Sequence, residues 1–169
     1  YLNYWNSSMK THTINENIFD LIANQWGLLS SGDIPNHNCM TFSWGGMGHL
    51  WNKDIVYIYV RPQRFTYEFI EANPYFSINF FNEEYKDILK VCGTKSGREI
   101  DKKNLDLTPL TENGCVYYKE AKLSAICRKI YYQDINPANF LDMEIEKNYT
   151  DGDYHRMYIG EIISMKSQS

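Results

Sequence analysis

Apolar residues recur at Ile14, Ile18, Leu21, Ile22 and Trp26, the spacing of one helical face. Thr13 and Glu16 frame the start as a capping box, in which a hydroxyl and a carboxylate three places on satisfy each other's backbone donors. The pattern predicts a helix over 14–26 that stops at Gly27. LLSSGD then reads as a short strand running into a turn. Asn38 to Trp44 is compatible with a strand, and Asp54 to Val60 (DIVYIYV) is a stronger one. The latter is apolar on both faces, which implies cover by the core on one side and by a helix or partner subunit on the other.

Arg61-Pro62 ends that strand. Phe65 to Ala72 reads as a helix stopped by Asn73-Pro74, and Tyr75 to Phe81 as the next strand. Asn82 is placed to cap a helix over 83–91 that ends at Gly93. CGTKSGREIDKKNLDLTP is polar and glycine-punctuated, a long loop of the kind that is commonly functional. Strands resume at Cys115–Tyr118, and again where Ala121, Leu123, Ala125 and Cys127 alternate, with extension to Gln133. Asn136-Pro137 begins a short helical piece. Arg156 to Met165 is the last strand, with Gly160 as a bulge or close-approach point. Six or seven strands with three short helices and irregular connections fit a mainly β, antiparallel barrel or sandwich, one domain over 1–169.

The 169 residues suffice for one domain with a sizeable core. A net charge of −4 argues against nucleic-acid binding, which needs a basic face. No run of 18 apolar residues is present to span a membrane, and YLNYWNSSMK has no secretory apolar core. Cys39, Cys92, Cys115 and Cys127 form no CxxC pair and no zinc spacing, so thiols in a reducing cytoplasm are expected. Asn6-Ser7-Ser8 and Asn148-Tyr149-Thr150 match the glycosylation sequon; with no secretory signal in view, both are read as chance.

Several familiar motifs fail. Gly45-Gly46-Met47-Gly48 lacks the GxGxxG spacing and leads to a strand rather than a helix. There is no Walker A, no GxSxG, and no clustered histidine–carboxylate set for a metal.

What remains is NCMTFSWGGMGHLW. It places three glycines and the Thr41 and Ser43 hydroxyls beside Trp44 and Trp51, and contains no carboxylate, Lys or Arg. Arg61-Pro62-Gln63-Arg64-Phe65-Thr66 puts two guanidiniums and a hydroxyl at a strand–helix junction, where free N–H groups and planar forks suit phosphate. Lys95-Ser96-Gly97-Arg98 with Lys102 and Lys103 adds a second cationic loop. Each block alone also fits a hydrated loop or core aromatics. Together they suit a phosphorylated aromatic ligand.

The order NCMTFSWGGMGHLW, VRPQRFTYEFIE, FSINFF, CGTKSGREIDK, CRKIYYQD, DYHRMYIGEI resembles the flavin reductase-like family, in particular its flavoredoxin-like branch, from about Trp26 to Ile162. The resemblance implies an FMN-binding split β-barrel, normally a homodimer with FMN near the subunit interface. Met40, Thr41, Phe42, Ser43 and Trp44 would contact the ring and ribityl chain. Arg61, Arg64 and Thr66 would lie near the phosphate. Asn79 and Phe81 would touch the flavin, and Ser96, Gly97, Arg98 and Lys102 would close over it, with Lys103 a possible substitute for Lys102. Lys103 also departs from the family pattern, which commonly has an aromatic there. His155 matches a family position near the cleft and would contact a nicotinamide or the acceptor; a solvated histidine near Asp153 is the competing reading. Arg128 and Tyr131 are secondary candidates for the cleft wall.

The function implied is electron transfer from NADH or NADPH through FMN to a flavin, another small molecule or a protein acceptor. The alternatives are an FMN-bound carrier reduced by a partner protein and a flavin-binding module without turnover.

Overall fold

The structure, a computed structural model, describes residues 10–102 and 105–168. A short α-helical turn, α1 (Ile18–Asp20), runs into a π-helical turn at Leu21–Gln25. The helix starts four residues later than the capping box predicts. Asn17 is the cap, its side chain accepting from the N–H groups of Phe19 and Asp20, while Glu16 instead pairs with Lys122 at 3.3 Å. Nor is Gly27 the stop: the chain turns at Trp26, whose φ is 67°. Gly27 opens the next strand, where a Cβ would stand 2.3 Å from the Phe42 ring.

Among the described residues nine strands follow: β1 (Gly27–Asp33), β2 (Asn36–Phe42), β3 (Gly45–Leu50), β4 (Lys53–Val60), β5 (Tyr75–Phe80), β6 (Pro109–Glu112), β7 (Cys115–Tyr118), β8 (Leu123–Asp134) and β9 (Arg156–Ser167). Two further helices are α2 (Phe65–Ala72) and α3 (Lys86–Thr94). A 3-10 turn at Glu83–Tyr85 leads into α3, and α3 runs through Gly93 rather than ending at it. Asn82 precedes that turn without a side-chain cap. The sequence reading missed β3 and β6. Three glycines in β3 remove the β-propensity signal. Trp51 and Asn52, both with positive φ, make the two-residue turn that pairs β3 with β4.

Seven strands form one antiparallel sheet in the order β2-β1-β5-β8-β9-β4-β3, and β6 and β7 form a separate pair. β2 and β3 occupy opposite edges, yet only Ser43 and Trp44 separate them in the chain. Three Cα–Cα steps reach at most about 11 Å. The sheet must therefore curl until its edges nearly meet, which makes a barrel with a seam at Ser43-Trp44.

Two cores result. Inside the barrel are Leu29, Met40, Phe42, Val56, Ile58, Phe76, Ile78, Phe80 and Tyr158. Outside, Leu28, Cys39, Phe81, Leu89, Cys92, Val116 and Tyr118 form a second cluster in which α3 and β7 cover the wall. Burial on both faces explains why Leu28 and Leu29 are equally enclosed. β4 is less symmetric than expected: Ile55, Val56, Ile58 and Val60 are buried, whereas Tyr57 and Tyr59 are half-exposed. Gly160 is a close-approach point, since a Cβ there would sit 2.6 Å from the Phe76 ring and 2.8 Å from Cys127 Cβ.

Residues 135–155 form an excursion between β8 and β9. Its neck is held by the Ile135 N–H to the His155 carbonyl (3.0 Å) and by Arg156, which reaches Asp134 (2.7 Å) and Glu71 (3.0 Å).

Candidate functional site

β2 is an edge strand, paired only with β1. The Cys39 carbonyl points away from β1 and accepts from Lys102 Nζ at 2.8 Å. Ladder alternation puts the main-chain groups of Thr41 on the same open edge. Just outside it lies the C-terminus of α3, where the last carbonyls lack helical partners. The Thr41 hydroxyl donates to the Leu89 carbonyl. Arg64 donates to the carbonyls of Gly93 (3.2 Å) and Cys92 (3.3 Å), and Lys102 to that of Cys92 (3.1 Å).

Two cations thus converge on one helix end. Neither forms an ion pair with a carboxylate among the described residues. Burial lowers the pKa of both, and Arg64 further lowers that of Lys102. Positive charge held out of water without a counter-charge favours an incoming anion.

The closing loop is fitted to this end. Gly97 packs so tightly on β2 that a Cβ would lie 2.2 Å from Asn38 Oδ1. The Asn38 amide donates to Thr66 Oγ1 at 2.8 Å, tying buried Thr66 of α2 to the strand. Ser96 Oγ accepts from the Arg98 N–H (3.1 Å), and the Arg98 guanidinium lies over Phe65 and reaches Glu68 at 2.5 Å. A cavity of about 380 Å³ lies here, lined by Asn38, Phe65, Gly97, Arg98 and Lys102 among others.

At the seam, Trp44 is 48 % exposed and lines two cavities. One, about 570 Å³, is bounded by Ser43, Gly45, Gly46, Met47, Tyr57 and Phe19. The other, about 480 Å³, is bounded by Tyr59, Phe140, Ile145, Tyr149 and Met157, and the 135–155 excursion roofs it. Both fall in the size range of small-ligand sites. From Thr41 to Trp44 the chain spans at most about 11 Å. A ligand with an anionic tail at Arg64 and a flat body beside Trp44 therefore fits the arrangement.

His155 is buried, not a solvated residue near Asp153. Its Nδ1 lies 2.7 Å from the Tyr149 hydroxyl, and its ring meets Trp44 edge-on at 5.4 Å. Burial, with Arg61 nearby, lowers its pKa to about 4, so it is neutral at pH 7. Arg61 belongs to this cluster rather than to Arg64's. It pairs with Asp153 at 2.6 Å, donates to the Asn148 carbonyl and lies over the Tyr149 ring.

The structure thus gathers Thr41, Arg64 and Lys102, with Thr66, Ser96, Gly97 and Arg98 around them. Ser43 and Trp44 stand at the seam. Met40 and Phe42 turn their side chains into the barrel core, and ladder alternation turns their main-chain groups toward β1 rather than the open edge. Asn79 is fully enclosed, its amide satisfied by the Leu28 carbonyl, Ser77 and Ser124, and Phe81 packs against Tyr85 and Tyr118. Arg128 pairs with Glu161, and Tyr131 packs on Trp51; neither lines the Trp44 cavities. Sequence reasoning missed Tyr149, Tyr59 and Asn38. Tyr149 was hidden inside a sequon, and no spacing links it to Trp44.

Comparison with known proteins settles the family. The model of the flavin reductase like domain matches residues 19–169. The chain belongs to this family. Among solved structures, flavoredoxin from Methanosarcina acetivorans superposes with a TM-score of 0.69 at 23% identity, covering 95% of this chain and 77% of that one. An FMN-binding protein from Thermus thermophilus gives 0.68 at 17% identity, covering 95% and 83%. An NADH:FAD oxidoreductase from Streptomyces globisporus C-1027 gives 0.62 at 14%, covering 85% and 76%. These share the fold, a split barrel. No curated protein matches the chain. Among the described residues, no helix is long and apolar enough to cross a membrane.

Proposed function

We propose that this flavin reductase-like protein holds FMN and passes electrons from NADH or NADPH to a flavin or another small acceptor. The observation that carries the reading is a pair of cations at the open edge of β2, part-buried Arg64 and buried Lys102, with no carboxylate partner among the described residues. Arg64, Lys102 and the Ser96–Arg98 loop would hold the phosphate. Thr41 and Ser43 would meet the polyol chain and ring edge, and Trp44 would flank the ring. When bound, FMN supplies the two-electron chemistry.

The chain's own residues bind, orient and exclude water. The aromatic cavity under the 135–155 excursion offers a flat donor or acceptor an apolar surface beside Trp44. Neutral His155 and protonated Tyr149 keep a hydrogen-bonded polar pair behind that surface. The reading includes a homodimer: Phe19, 86 % exposed beside the second cavity, is a surface that a second copy would cover. It includes a cytoplasmic location, which unbridged buried cysteines suit.

The test is spectroscopic. Purified protein, or protein reconstituted with FMN, is expected to show flavin bands that bleach anaerobically on adding NADH or NADPH. Bleaching by a reduced partner protein but by neither nicotinamide would identify a carrier instead. Failure to retain FMN under any condition would end the proposal.

A further inference from the structure

Cys39 of β2 and Cys92 of α3 stand with their Sγ atoms 4.0 Å apart in the outer core cluster. Both are buried. Their main-chain carbonyls are the same ones that hold Lys102, and the Cys92 carbonyl with that of Gly93 holds Arg64. The thiol pair therefore sits directly behind the cationic site. We propose that Cys39 and Cys92 are a peroxide-sensitive dithiol whose oxidation to an intramolecular disulfide loosens the anion grip of Arg64 and Lys102. The ligand half of this inference rests on the FMN reading above; the disulfide half does not.

The chemistry balances with hydrogen peroxide as oxidant. Cys92 shares a hydrogen bond with Cys39 and lies near the Lys102 and Arg64 charges, which draw its pKa down and favour the thiolate. The Cys92 sulfur attacks one peroxide oxygen and the O–O bond breaks. The leaving hydroxide takes up the Cys92 proton as water, and a sulfenic acid remains. The Cys39 sulfur then attacks the sulfenic sulfur. The S–O bond breaks, and hydroxide leaves with the Cys39 proton as a second water. Two thiols and one peroxide give one disulfide and two waters.

A disulfide needs its sulfurs about 2.05 Å apart, and in a close-packed cluster closing the 4.0 Å gap draws β2 and the end of α3 toward each other. The carbonyls that position both cations move with them. Cys115 and Cys127 have no sulfur partner among the described residues. Burial pushes the Cys115 thiol up to about 12 and raises that of Cys127 as well. They serve as internal controls.

The experiment uses the full chain. A few equivalents of hydrogen peroxide are followed by alkylation under denaturing conditions and mass mapping. The expected result is loss of two alkylatable thiols and a Cys39–Cys92 cross-linked peptide, both reversed by dithiothreitol, with Cys115 and Cys127 still alkylated. Cys39→Ser should abolish the cross-link, and Cys92→Ala replaces it if that variant does not fold. The same oxidised samples, titrated with FMN, should bind roughly tenfold more weakly, the loss of about one hydrogen bond to a charged group. Alkylation of Cys39 and Cys92 to the same extent as Cys115 would overturn the site. A cross-link with unchanged FMN affinity would overturn the link to the cations. A cross-link in protein that never binds FMN would sink the flavin reading and leave the dithiol standing.

Discussion

Arg64 and Lys102 are unequal in sequence context but equal in role. One precedes a helix and the other lies within the connection between α3 and β6, and both donate to carbonyls at the end of α3. Removing either charge, as Arg64→Ala or Lys102→Met, should weaken FMN by roughly 10- to 100-fold, the range of a charge-assisted hydrogen bond. Riboflavin, which lacks the phosphate, should bind the variants and the parent alike. Isothermal titration with both ligands checks this.

His155 carries a pH prediction. Its pKa falls to about 4 in the folded chain, against about 6.5 when unfolded. The unfolded chain then binds more protons between those values, so stability rises with pH across the window. Acidification from pH 6.5 towards 4 should cost up to roughly 3 kcal/mol at this residue. Urea titrations of the parent and of His155→Gln at several pH values should show a shallower acid slope for the variant.

At the scale of elements, the β8–β9 pair depends on Gly160. Gly160→Ala forces a methyl against Phe76 and Cys127 and should destabilise by roughly 1–3 kcal/mol. Gly48→Ala in β3 meets nothing within 4 Å and should change stability by less than about 0.5 kcal/mol. Chemical denaturation of the two variants separates steric crowding from a general cost of replacing strand glycines. Elements with strong local patterns were legible from sequence alone: α2 spans Phe65–Ala72 as read, β4 and β5 differ from the reading by one residue, and β7 matches it. β3 was not, because Gly45, Gly46 and Gly48 suit a barrel seam rather than a strand propensity. The helix at 14–26 shortened because the local cap at Thr13 lost to Asn17 and to the Glu16–Lys122 pair, a tertiary contact overriding a local signal.

For the whole molecule, ligand binding to the folded state alone should raise stability by mass action. FMN at about a hundredfold excess over its Kd should add about 2.7 kcal/mol and raise Tm by roughly 5–10 °C for a domain of this size. A thermal melt with and without FMN measures it, and the gain should shrink in Arg64→Ala. The barrel itself is a whole-molecule property. Its closure follows from two edge strands joined by Ser43-Trp44, and local propensity carries no information on strand order.

The sequence by itself determined the elements with strong local patterns, such as α2, β4, β5 and β7, because apolar period and turn residues act over a few neighbours. It also set out the residue types suited to a phosphorylated flat ligand, and by the order of its motifs the family. Only the tertiary structure decided which of those residues meet. Arg64 and Lys102 are 38 positions apart and converge on one helix end, while Arg61, three residues from Arg64, joins Tyr149 and His155 instead. The physical reason is that barrel closure and the packing of α3 against β2 set side-chain partners through space, where spacing along the chain has no say.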